Sequence, residues 1–400
     1  MLTTFKRRAD KPYPFTKPIE ITVKIVNLET IRLTVPLDEP IVTSFGRMDS
    51  RSSLVIRVST DAGLVGLGES WANFPPWGAE EKALIINKGI KPLLIDKNPL
   101  AVSALWELMQ HTLMVPCGGK QLGAPGPIHQ AISGVDIALW DIWGQALNQP
   151  IYALLGGPVS SRIQAYASGI GPSNFLGHVE RAVGLGYEMF KLKVGFGLQK
   201  DLENLAAIRE AIGTEARLLL DANQAWNDTR ESLRHLRQYE PFAPEYIEEP
   251  MMADQLHEMA ALRTQTDLIV AGGENLYGVK QFQKALAARA LELWQPDITK
   301  TGGFTPCRLI CGLAAAESIA WAPHMFGTGI GLAASLHLLF GLPGGIFMEV
   351  DANPNPFQTE LMDRTFFAFG NGEFTIATHE PGLGVTLNQT MLHRYGTQLY

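Results

Sequence analysis

Three carboxylates, Asp221, Glu248 and Glu274, each follow a short apolar run in the segments RLLLD, YIE and LIVAGGE. Parallel strands that end side by side would bring these side chains together, and clustered anions repel each other unless a cation neutralises them. Oxygen-only ligands favour a hard metal ion, so the pattern predicts Mg²⁺, with Mn²⁺ as a second candidate. Glu249 faces away from Glu248 on a strand, which indicates a structural partner and not a ligand.

Two lysines, Lys191 and Lys193, lie two positions apart and therefore share one face of a strand. Two ammonium groups side by side lower each other's pKa, which favours one of them as a general base near pH 7. The alternative is that both lysines reach the rim of the fold and only balance the carboxylates.

An aspartate and a histidine, Asp297 and His324, end two further apolar runs 27 positions apart. A hydrogen bond between them would fix the imidazole tautomer and raise the pKa of the histidine. With the carboxylates between this pair and the lysines, acid/base groups would face both sides of one bound substrate. That arrangement suits the removal and return of a proton.

The elements that must position these residues recur regularly after residue 158, where short apolar strands alternate with polar-faced helical stretches. Eight predicted strands end 23 to 28 residues apart, at Ser168, Lys193, Asp221, Glu248, Glu274, Asp297, His324 and Glu349. One strand and one crossover helix need about this length, so the spacing predicts a (β/α)8-type barrel whose C-terminal rim carries the site.

The segment before residue 158 has a different pattern and predicts a separate α+β domain. Apolar and polar residues alternate from about Ile19 to Glu69, which indicates a small antiparallel sheet, and helical patterns follow up to Gly156-Gly157-Pro158. The glycines at 63, 66 and 68 offer a weak nucleotide-binding alternative, because no helix is predicted to open after them.

The composition excludes several classes of function. The net charge of −7 disfavours a nucleic-acid or anionic membrane partner. No signal peptide is predicted, and the uncharged run from Met325 to Met348 is interrupted by glycines, which favours a loop with a buried helix over a membrane span. Three cysteines fit a reducing compartment. We expect a cytoplasmic homo-oligomer that acts on a small-molecule carboxylate.

Seven segments in order resemble the enolase superfamily, and specifically its mandelate racemase group, over about Ile19 to Val385. They are FKLKVG (190–195), LLLDANQ (218–224), YIEEP (246–250), AGGEN (271–275), QPDITKTGG (295–303), APHMFGTG (322–329) and FMEVD (347–351). The resemblance implies an α/β fold, a (β/α)7β TIM-type barrel with an α+β capping domain. The expected divisions are a flexible N-terminal arm at 1–18, the capping domain at 19–158, the barrel at 159–355 and a C-terminal strap at 356–400 that returns to the capping domain.

The resemblance also implies residue roles. Asp221, Glu248 and Glu274 would bind Mg²⁺, and Lys193 would be one acid/base group with Lys191 as its pKa-tuning neighbour. His324 with Asp297 would be the other acid/base group, and Glu349 would hydrogen-bond the substrate carboxylate. Aspartate at 297 followed by a histidine favours racemase or dehydratase chemistry over that of the muconate-lactonising branch.

Lower-ranked substrate contacts come from secondary positions and from two lid loops that resemble those of the capping domain. They are Asn223 and Lys300 in the barrel and Arg47, Arg51 and Trp77 in the lid segments at 41–51 and 71–78. The arginines would meet a distal carboxylate or hydroxyl groups, and Trp77 would exclude water together with Phe74.

The predicted activity is Mg²⁺-dependent removal of the proton α to a carboxylate, with a metal-stabilised enediolate intermediate. The favoured outcome is a lyase reaction, the dehydration of an acid sugar to a 2-keto-3-deoxy acid. The alternatives are an isomerase with the same first step, either a racemase or epimerase or a galactarolactone-type cycloisomerase. An alternative of another class is a non-catalytic pseudoenzyme that binds sugar acids.

Overall fold

The computed structural model describes residues 23–114, 125–173 and 175–400. The predicted flexible arm at 1–18 lies outside these residues. No helix in the described ranges is both long enough and apolar enough to cross a membrane.

The first part of the chain forms an antiparallel sheet covered by helices. Its strands are β1 (Ile25–Thr43), β2 (Gly46–Thr60) and β3 (Val65–Trp71). Its helices are α1 (Gly78–Leu84), which runs through a π-helix (Ile85–Ile90) into α2 (Lys91–Leu94), then α3 (Val102–Met114), α4 (Pro125–Leu147) and α5 (Ile151–Leu154). β1 and β2 pair as far as Thr43 and Gly46, so the hairpin turns on Ser44 and Phe45.

Two glycines of β3 allow the sheet to pack closely on α4. A Cβ atom at Gly66 would lie 2.0 Å from the carbonyl oxygen of Ala138, and one at Gly68 would lie 1.8 Å from that of Gly134. These distances are too short for any side chain, so the glycines serve helix–strand packing. This packing accounts for the two glycines without the weak nucleotide-binding alternative.

Eight parallel strands and the helices between them form the barrel. The strands are β4 (Arg162–Ile170), β5 (Met189–Lys193), β6 (Arg217–Asp221), β7 (Pro244–Glu248), β8 (Ile269–Gly272), β9 (Leu293–Trp294), β10 (Ala320–Trp321) and β11 (Phe347–Asp351). In the described ranges seven helices join them, namely α6 (Leu176–Gly184), α7 (Leu198–Ile212), α8 (Thr229–Tyr239) with a 3₁₀ turn (Glu240–Phe242), α9 (Leu256–Arg263), α10 (Gly278–Ala288), α11 (Phe304–Ala316) and α12 (Gly329–Gly341). α12 is wholly buried, as expected for the long uncharged run.

The strands close into a ring in chain order. β4 to β10 pair successively, β11 pairs in parallel with β4, and a bridge between Trp321 and Gly345 joins the remaining edge. Apolar side chains fill the interior below the rim, from Tyr166 on β4 round to Ala322 after β10. The fold is therefore the predicted TIM-type barrel with an N-terminal capping domain.

Several predicted strand ends are wrong by two or three residues. β4 continues to Ile170 and β11 to Asp351, whereas β8, β9 and β10 stop before Glu274, Asp297 and His324. Gly273 has a φ of +129° after β8. Pro296 and Pro323 precede Asp297 and His324, and proline cannot donate a hydrogen bond to a strand ladder.

The C-terminal segment first extends the barrel and then returns to the capping sheet. It comprises α13 (Pro356–Thr359), β12 (Met362–Arg364), β13 (Phe367–Gly370), β14 (Glu373–Ile376), β15 (Thr386–Leu387), α14 (Gln389–Tyr395) and β16 (Gly396–Leu399). The β13–β14 hairpin pairs with β4, and β16 pairs antiparallel with β1.

A buried carboxylate docks the capping domain on the barrel. Glu69 on β3 accepts hydrogen bonds from the Thr328 hydroxyl (2.7 Å) and from the backbone N–H of Gly331 (2.8 Å), at the first turn of α12. Anionic groups are stabilised at a helix N-terminus, so this contact holds α12 and the loop before it against the capping sheet.

Candidate active site

The C-terminal rim of the barrel carries a network of ion pairs that we call the rim cluster. Every member is buried, and the members are Lys191, Lys193, Asp221, Glu248, Glu274, Asp297, Lys300, His324 and Glu349. β6, β7 and β8 are neighbours, so Asp221, Glu248 and Glu274 come from three consecutive positions of the ring. The predicted metal and acid/base residues are thus brought together.

Lys191 lies between two carboxylates from opposite sides of the cluster. Its Nζ is 2.7 Å from Glu248 Oε2 and 2.6 Å from Glu349 Oε1. Burial alone would lower the pKa of Lys191, but Glu248 and Glu349 outweigh burial and raise that pKa well above its usual value. The mutual lowering expected from the lysine spacing is therefore wrong for Lys191, which stays cationic.

Lys193 contacts one end of the carboxylate row. Its Nζ donates to Asp221 Oδ2 (2.8 Å) and to Asn223 Oδ1 (2.7 Å). The backbone N–H of Asn223 in turn donates to Asp221 Oδ1 (2.8 Å), and Asn223 adopts a left-handed φ of +43°. The side chain and the backbone of Asn223 together hold Lys193 and Asp221 in one geometry.

His324 contacts the other end of the row. Its Nδ1 lies 2.7 Å from Asp297 Oδ2, and its Nε2 lies 3.0 Å from Glu274 Oε2. Burial opposes the charged form, but Glu274, Glu349 and Asp297 together raise the pKa of His324 to about 9. His324 is therefore an imidazolium with both N–H groups directed at carboxylates at neutral pH.

Lys300 contacts Glu274 from the cavity side. Its Nζ donates to Glu274 Oε1 (3.2 Å) and Asn275 Oδ1 (2.9 Å), and it lies 4.8 Å from the centroid of the Trp71 ring. Burial would lower the pKa of Lys300, but Glu274 outweighs burial and raises it. Lys300 is thus a fixed cation beneath an aromatic side chain of the capping domain.

Glu349 is already saturated with donors. Its carboxylate accepts hydrogen bonds from the Ser168 hydroxyl and from the backbone N–H of Met325 (3.1 Å), besides its ion pair with Lys191. Burial would raise the pKa of Glu349, but Lys191 and His324 lower it to about 2. An ionised carboxylate is only an acceptor, and in this geometry Glu349 contacts Lys191. Its hydrogen bond to the substrate carboxylate stays a prediction.

The carboxylates of the rim cluster fit a hard divalent cation. Glu248 Oε1 is buried and has no hydrogen-bond partner among the described residues. Burial raises the pKa of Glu248 to about 7; Lys191 opposes this shift, and Asp221 and Glu349 add to it. The cluster holds five carboxylates against three ammonium groups and the His324 imidazolium, so positive charge is still in deficit and a divalent cation would supply it.

This fit does not amount to a ready-made metal site. In residues 23–114, 125–173 and 175–400, no group of three His, Cys, Asp or Glu side chains stands in position to hold a metal ion. Asp221 and Glu274 instead direct oxygens toward Lys193 and His324.

The structure adds Gln295 to the residues around the cluster. Its Nε2 donates to Glu248 Oε2 (2.6 Å), the same oxygen that Lys191 contacts. Its position two residues before Asp297, on the same face of an extended chain, is the signal that sequence reasoning could have used.

Glu249 is a structural partner outside the cluster, as predicted, although β7 ends at Glu248 and Glu249 has a left-handed φ of +38°. It accepts from Gln224 Nε2 (2.8 Å) and Asn275 Nδ2 (2.9 Å), and burial followed by Glu274 raises its pKa to about 8. It therefore links the loops that follow β6 and β8.

The lid residues do not gather at the cluster. Arg47 is exposed and pairs with Asp49 at 2.7 Å. Arg51 is 2% exposed, forms a buried ion pair with Asp351, and lies over the ring of Phe326. Trp77 is 65% exposed, and none of these three lines the cavity beside the cluster.

That cavity opens on the cluster from one side and measures about 650 Å³. Asn223, Glu274 and Lys300 form its inner wall, whereas Lys193 and His324 are not part of its lining. The cavity therefore reaches the rim cluster at Glu274 and Lys300, beside Asn223.

A parallel barrel whose rim gathers acid/base side chains beneath a second domain is the architecture of an enzyme. Two protein-family descriptions match the chain. "Mandelate racemase / muconate lactonizing enzyme, N-terminal domain" matches residues 25–156, and "Enolase C-terminal domain-like" matches residues 175–391. The chain belongs to the enolase superfamily, in its mandelate racemase group, and is a lyase or isomerase of that superfamily.

Curated relatives catalyse two kinds of reaction. The chain is 32% identical over 389 residues to the D-galactarolactone cycloisomerase of Agrobacterium fabrum, a match that covers 93% of this chain and 99% of the relative. It is 32% identical over 355 residues to the D-galactonate dehydratase of Klebsiella pneumoniae, covering 84% of this chain and 89% of the relative.

A solved structure agrees over nearly the whole chain. The racemase of Streptomyces coelicolor, solved with bound magnesium, superposes with a TM-score of 0.83 at 27% identity and covers 93% of this chain and all of its own. Magnesium is thus found in a structural relative of this barrel.

Proposed function

We propose that this protein is a Mg²⁺-dependent dehydratase that converts an acid sugar to a 2-keto-3-deoxy acid. The observation that supports this most is the placement of Lys193 and His324 at the two ends of the carboxylate row, 2.8 Å from Asp221 and 3.0 Å from Glu274. A substrate carboxylate over the row would have one proton-transfer group on either side.

Asp221, Glu248 and Glu274 would hold the metal, with Mn²⁺ as a second candidate. When bound, the cation would stabilise the negative charge that develops on the substrate carboxylate as its α-proton leaves. The unpartnered Glu248 Oε1 supports this assignment.

The chain's own residues would transfer both protons. Lys193 Nζ takes the α-proton, and the electrons of that C–H bond pass to the substrate carboxylate, which becomes an enediolate. Those electrons then form the double bond between the α- and β-carbons as the bond to the β-hydroxyl breaks. His324 Nε2 gives a proton to the departing hydroxyl, so that water leaves, and the resulting enol tautomerises to the 2-keto acid. Asp297 holds His324 Nδ1 at 2.7 Å throughout, while Lys191 supplies fixed positive charge.

A lactone cycloisomerase is the second candidate. The same two proton-transfer groups would open a sugar-acid lactone if the β-oxygen that leaves belongs to the ring. The match to the Agrobacterium fabrum relative over 99% of its length favours this reaction. Racemisation would use the same groups, with His324 returning the proton to the opposite face.

The test is proton NMR in D₂O with Mg²⁺, using galactonate, other six-carbon acid sugars and galactarolactone, each with and without chelator. We expect chelator-sensitive loss of the α-proton signal with formation of a 2-keto-3-deoxy acid. Ring opening without loss of water would favour the cycloisomerase, and inversion alone a racemase or epimerase. Binding without exchange of the α-proton would favour the pseudoenzyme.

Two variants separate the roles of the proton-transfer groups. Lys193→Ala should lower α-proton exchange by about 10²- to 10⁴-fold, the usual contribution of a general base. His324→Asn should lose elimination but keep exchange. Unchanged exchange in Lys193→Ala, with an unaltered thermal melting curve, would remove Lys193 from its role.

The expected cytoplasmic location and homo-oligomeric state stay predictions. Light scattering after size-exclusion chromatography tests the second of them.

A further inference from the structure

The cavity beside the rim cluster is larger than a six-carbon acid sugar requires. Its volume is about 650 Å³. Such an acid has roughly 13 non-hydrogen atoms, which at about 30 Å³ each, the share of a water molecule in the liquid, fill about 390 Å³. Bonded atoms lie closer together than water molecules, so about 390 Å³ is an upper limit, and at least roughly 260 Å³ of the cavity is left for a substituent on the acid.

The wall on the lid side is aromatic. Phe45, at the tip of the β1–β2 hairpin, packs edge-on against Phe74 with ring centroids 5.3 Å apart, and Trp71 lies 6.3 Å from Phe74. Met252 and Leu276, from the loops after β7 and β8, face the cavity as well. Apart from the indole N–H of Trp71, which has no hydrogen-bond partner among the described residues, these side chains offer hydroxyl groups no strong hydrogen bonds. An open polyhydroxy chain would therefore lose most of its water contacts there without replacement.

Polar side chains also line the cavity. They include Gln281 and Lys284, both on α10, the exposed Asp254, and Gln224, Asn275 and Tyr277. Arg47 and Arg51, the cations expected to meet the distal part of a substrate, are instead paired with Asp49 and Asp351. The lining of the cavity therefore combines charged groups of the cluster, an apolar wall and further polar side chains.

We propose that the natural substrate is an acid sugar that carries a second sugar ring, joined by a glycosidic bond to the carbons far from its carboxylate. The inference rests on the proposed function, because it takes the carboxylate end to lie at the rim cluster. The C–H faces of the second ring pack on Phe45, Phe74 and Trp71. Its hydroxyl groups reach Gln281 and Lys284.

The test compares gluconate with gluconates that carry galactose or glucose on a hydroxyl group, namely lactobionate, maltobionate and cellobionate. Calorimetry with Mg²⁺ measures affinity, and proton NMR in D₂O measures exchange and elimination on the same samples. We expect at least one glycosylated acid to bind at least tenfold more tightly than gluconate, and its kcat/KM to rise in proportion.

Variants of the apolar wall should reduce this preference. Phe74→Leu keeps an apolar side chain but removes the ring face, and Met252→Ala truncates a side chain that is 54% exposed, so folding should tolerate it. In each variant, the ratio of the affinity for the glycosylated acid to the affinity for gluconate should fall at least threefold. Leu309→Ala, on α11 and 52% exposed, is the matched control and should leave the ratio unchanged.

The outcomes for the two proposals are separable. If no glycosylated acid binds more tightly than gluconate, or none of these acids binds, the second-ring inference is wrong. If gluconate or galactonate is dehydrated while the larger acids are excluded, the inference fails and the proposed function stands. If a glycosylated acid binds more tightly but no acid exchanges its α-proton, the dehydratase proposal fails and the ring site stands.

Discussion

The buried side chain of His337 can make both of its hydrogen bonds only while its imidazole is neutral. Its Nδ1 accepts the backbone N–H of Tyr152 (3.1 Å), and its Nε2–H donates to the carbonyl oxygen of Leu383 (3.2 Å). The ring also stacks on Phe366, with centroids 4.0 Å apart. Burial lowers the pKa of His337 to about 3, despite the bond to Leu383. Protonation at Nδ1 would break the contact that ties α12 to α5.

We predict that His337 makes the fold acid-sensitive. Its folded pKa lies below the ordinary value of 6.5, so the unfolded chain takes up the proton first and stability falls as the pH drops from 6.5 toward 3. The slope is about 1.4 kcal/mol per pH unit, or about 2 kcal/mol lost at pH 5. Thermal melting at pH 7.5 and pH 5 should show a smaller difference for His337→Gln than for the wild type.

A surface variant controls for the loss of a histidine as such. His393 is exposed on α14, so His393→Gln should keep the wild-type difference in melting temperature between the two pH values. The prediction would be contradicted if the melting temperature changed between pH 7.5 and pH 5 by the same amount in His337→Gln and in the wild type.

The β1–β2 hairpin is the element that connects the lid with the catalytic residues. The Ser44 hydroxyl at its tip lies 2.8 Å from the carbonyl oxygens of both Ala222 and Asn223. These residues directly follow the metal-ligand candidate Asp221, and Asn223 contacts Lys193. The hairpin tip is therefore anchored on the loop that orients the proposed base.

We predict that Ser44→Ala lowers kcat/KM by about 2- to 10-fold, the equivalent of one hydrogen bond of about 0.5–1.5 kcal/mol. Ser44→Thr retains the hydroxyl and should stay near the wild type. Steady-state kinetics on the best substrate of the panel measures both variants. Equal kcat/KM for Ser44→Ala and the wild type would show that the anchor does not affect turnover.

The sequence predicts the barrel well because each predicted strand is a compact apolar run, and seven of the eight end on an ionisable residue. It misplaces the ends of β8 to β10 because Gly273, Pro296 and Pro323 end the strands early while still delivering Glu274, Asp297 and His324 to the rim. The local sequence pattern determines both the spacing of the strands and which residues follow them at the rim. An error of two or three residues in a strand end therefore does not change the predicted set of rim residues.

Contacts between distant segments could not be predicted in this way. Nothing in the local pattern of Arg51 indicates that it pairs with Asp351, 300 positions away, instead of facing a substrate. The aromatic wall of the cavity likewise combines a hairpin tip with loops of the barrel. Such contacts depend on how the two domains dock, which periodicity does not encode.

For the molecule as a whole, a bound divalent cation should act as a stabiliser. The rim cluster joins side chains from strands and loops around most of the barrel, so unfolding would destroy the metal site. We predict that Mg²⁺ at 100 times its Kd raises the free energy of unfolding by about 2.7 kcal/mol. Thermal melting with Mg²⁺ or with chelator measures the shift without any substrate.

Replacing a proposed ligand should abolish this shift. Glu248→Gln should melt at the same temperature with and without Mg²⁺, whereas Glu215→Gln should keep the wild-type shift. Glu215 is exposed just before β6, at the opposite end of that strand from Asp221. A full Mg²⁺ shift in Glu248→Gln would mean that the cation binds elsewhere.

The pairing of β11 with β4 has a consequence for how the protein is made. A ribosome delivers residues 162–170 long before residues 347–351, and until then β4 lacks its neighbour at the seam of the ring. The same late strand brings Glu349, the partner of Lys191 and of the Ser168 hydroxyl. A nascent chain that ends before residue 347 therefore exposes an open strand edge and lacks a complete site. The strand that closes the barrel is therefore also the strand that completes the rim cluster.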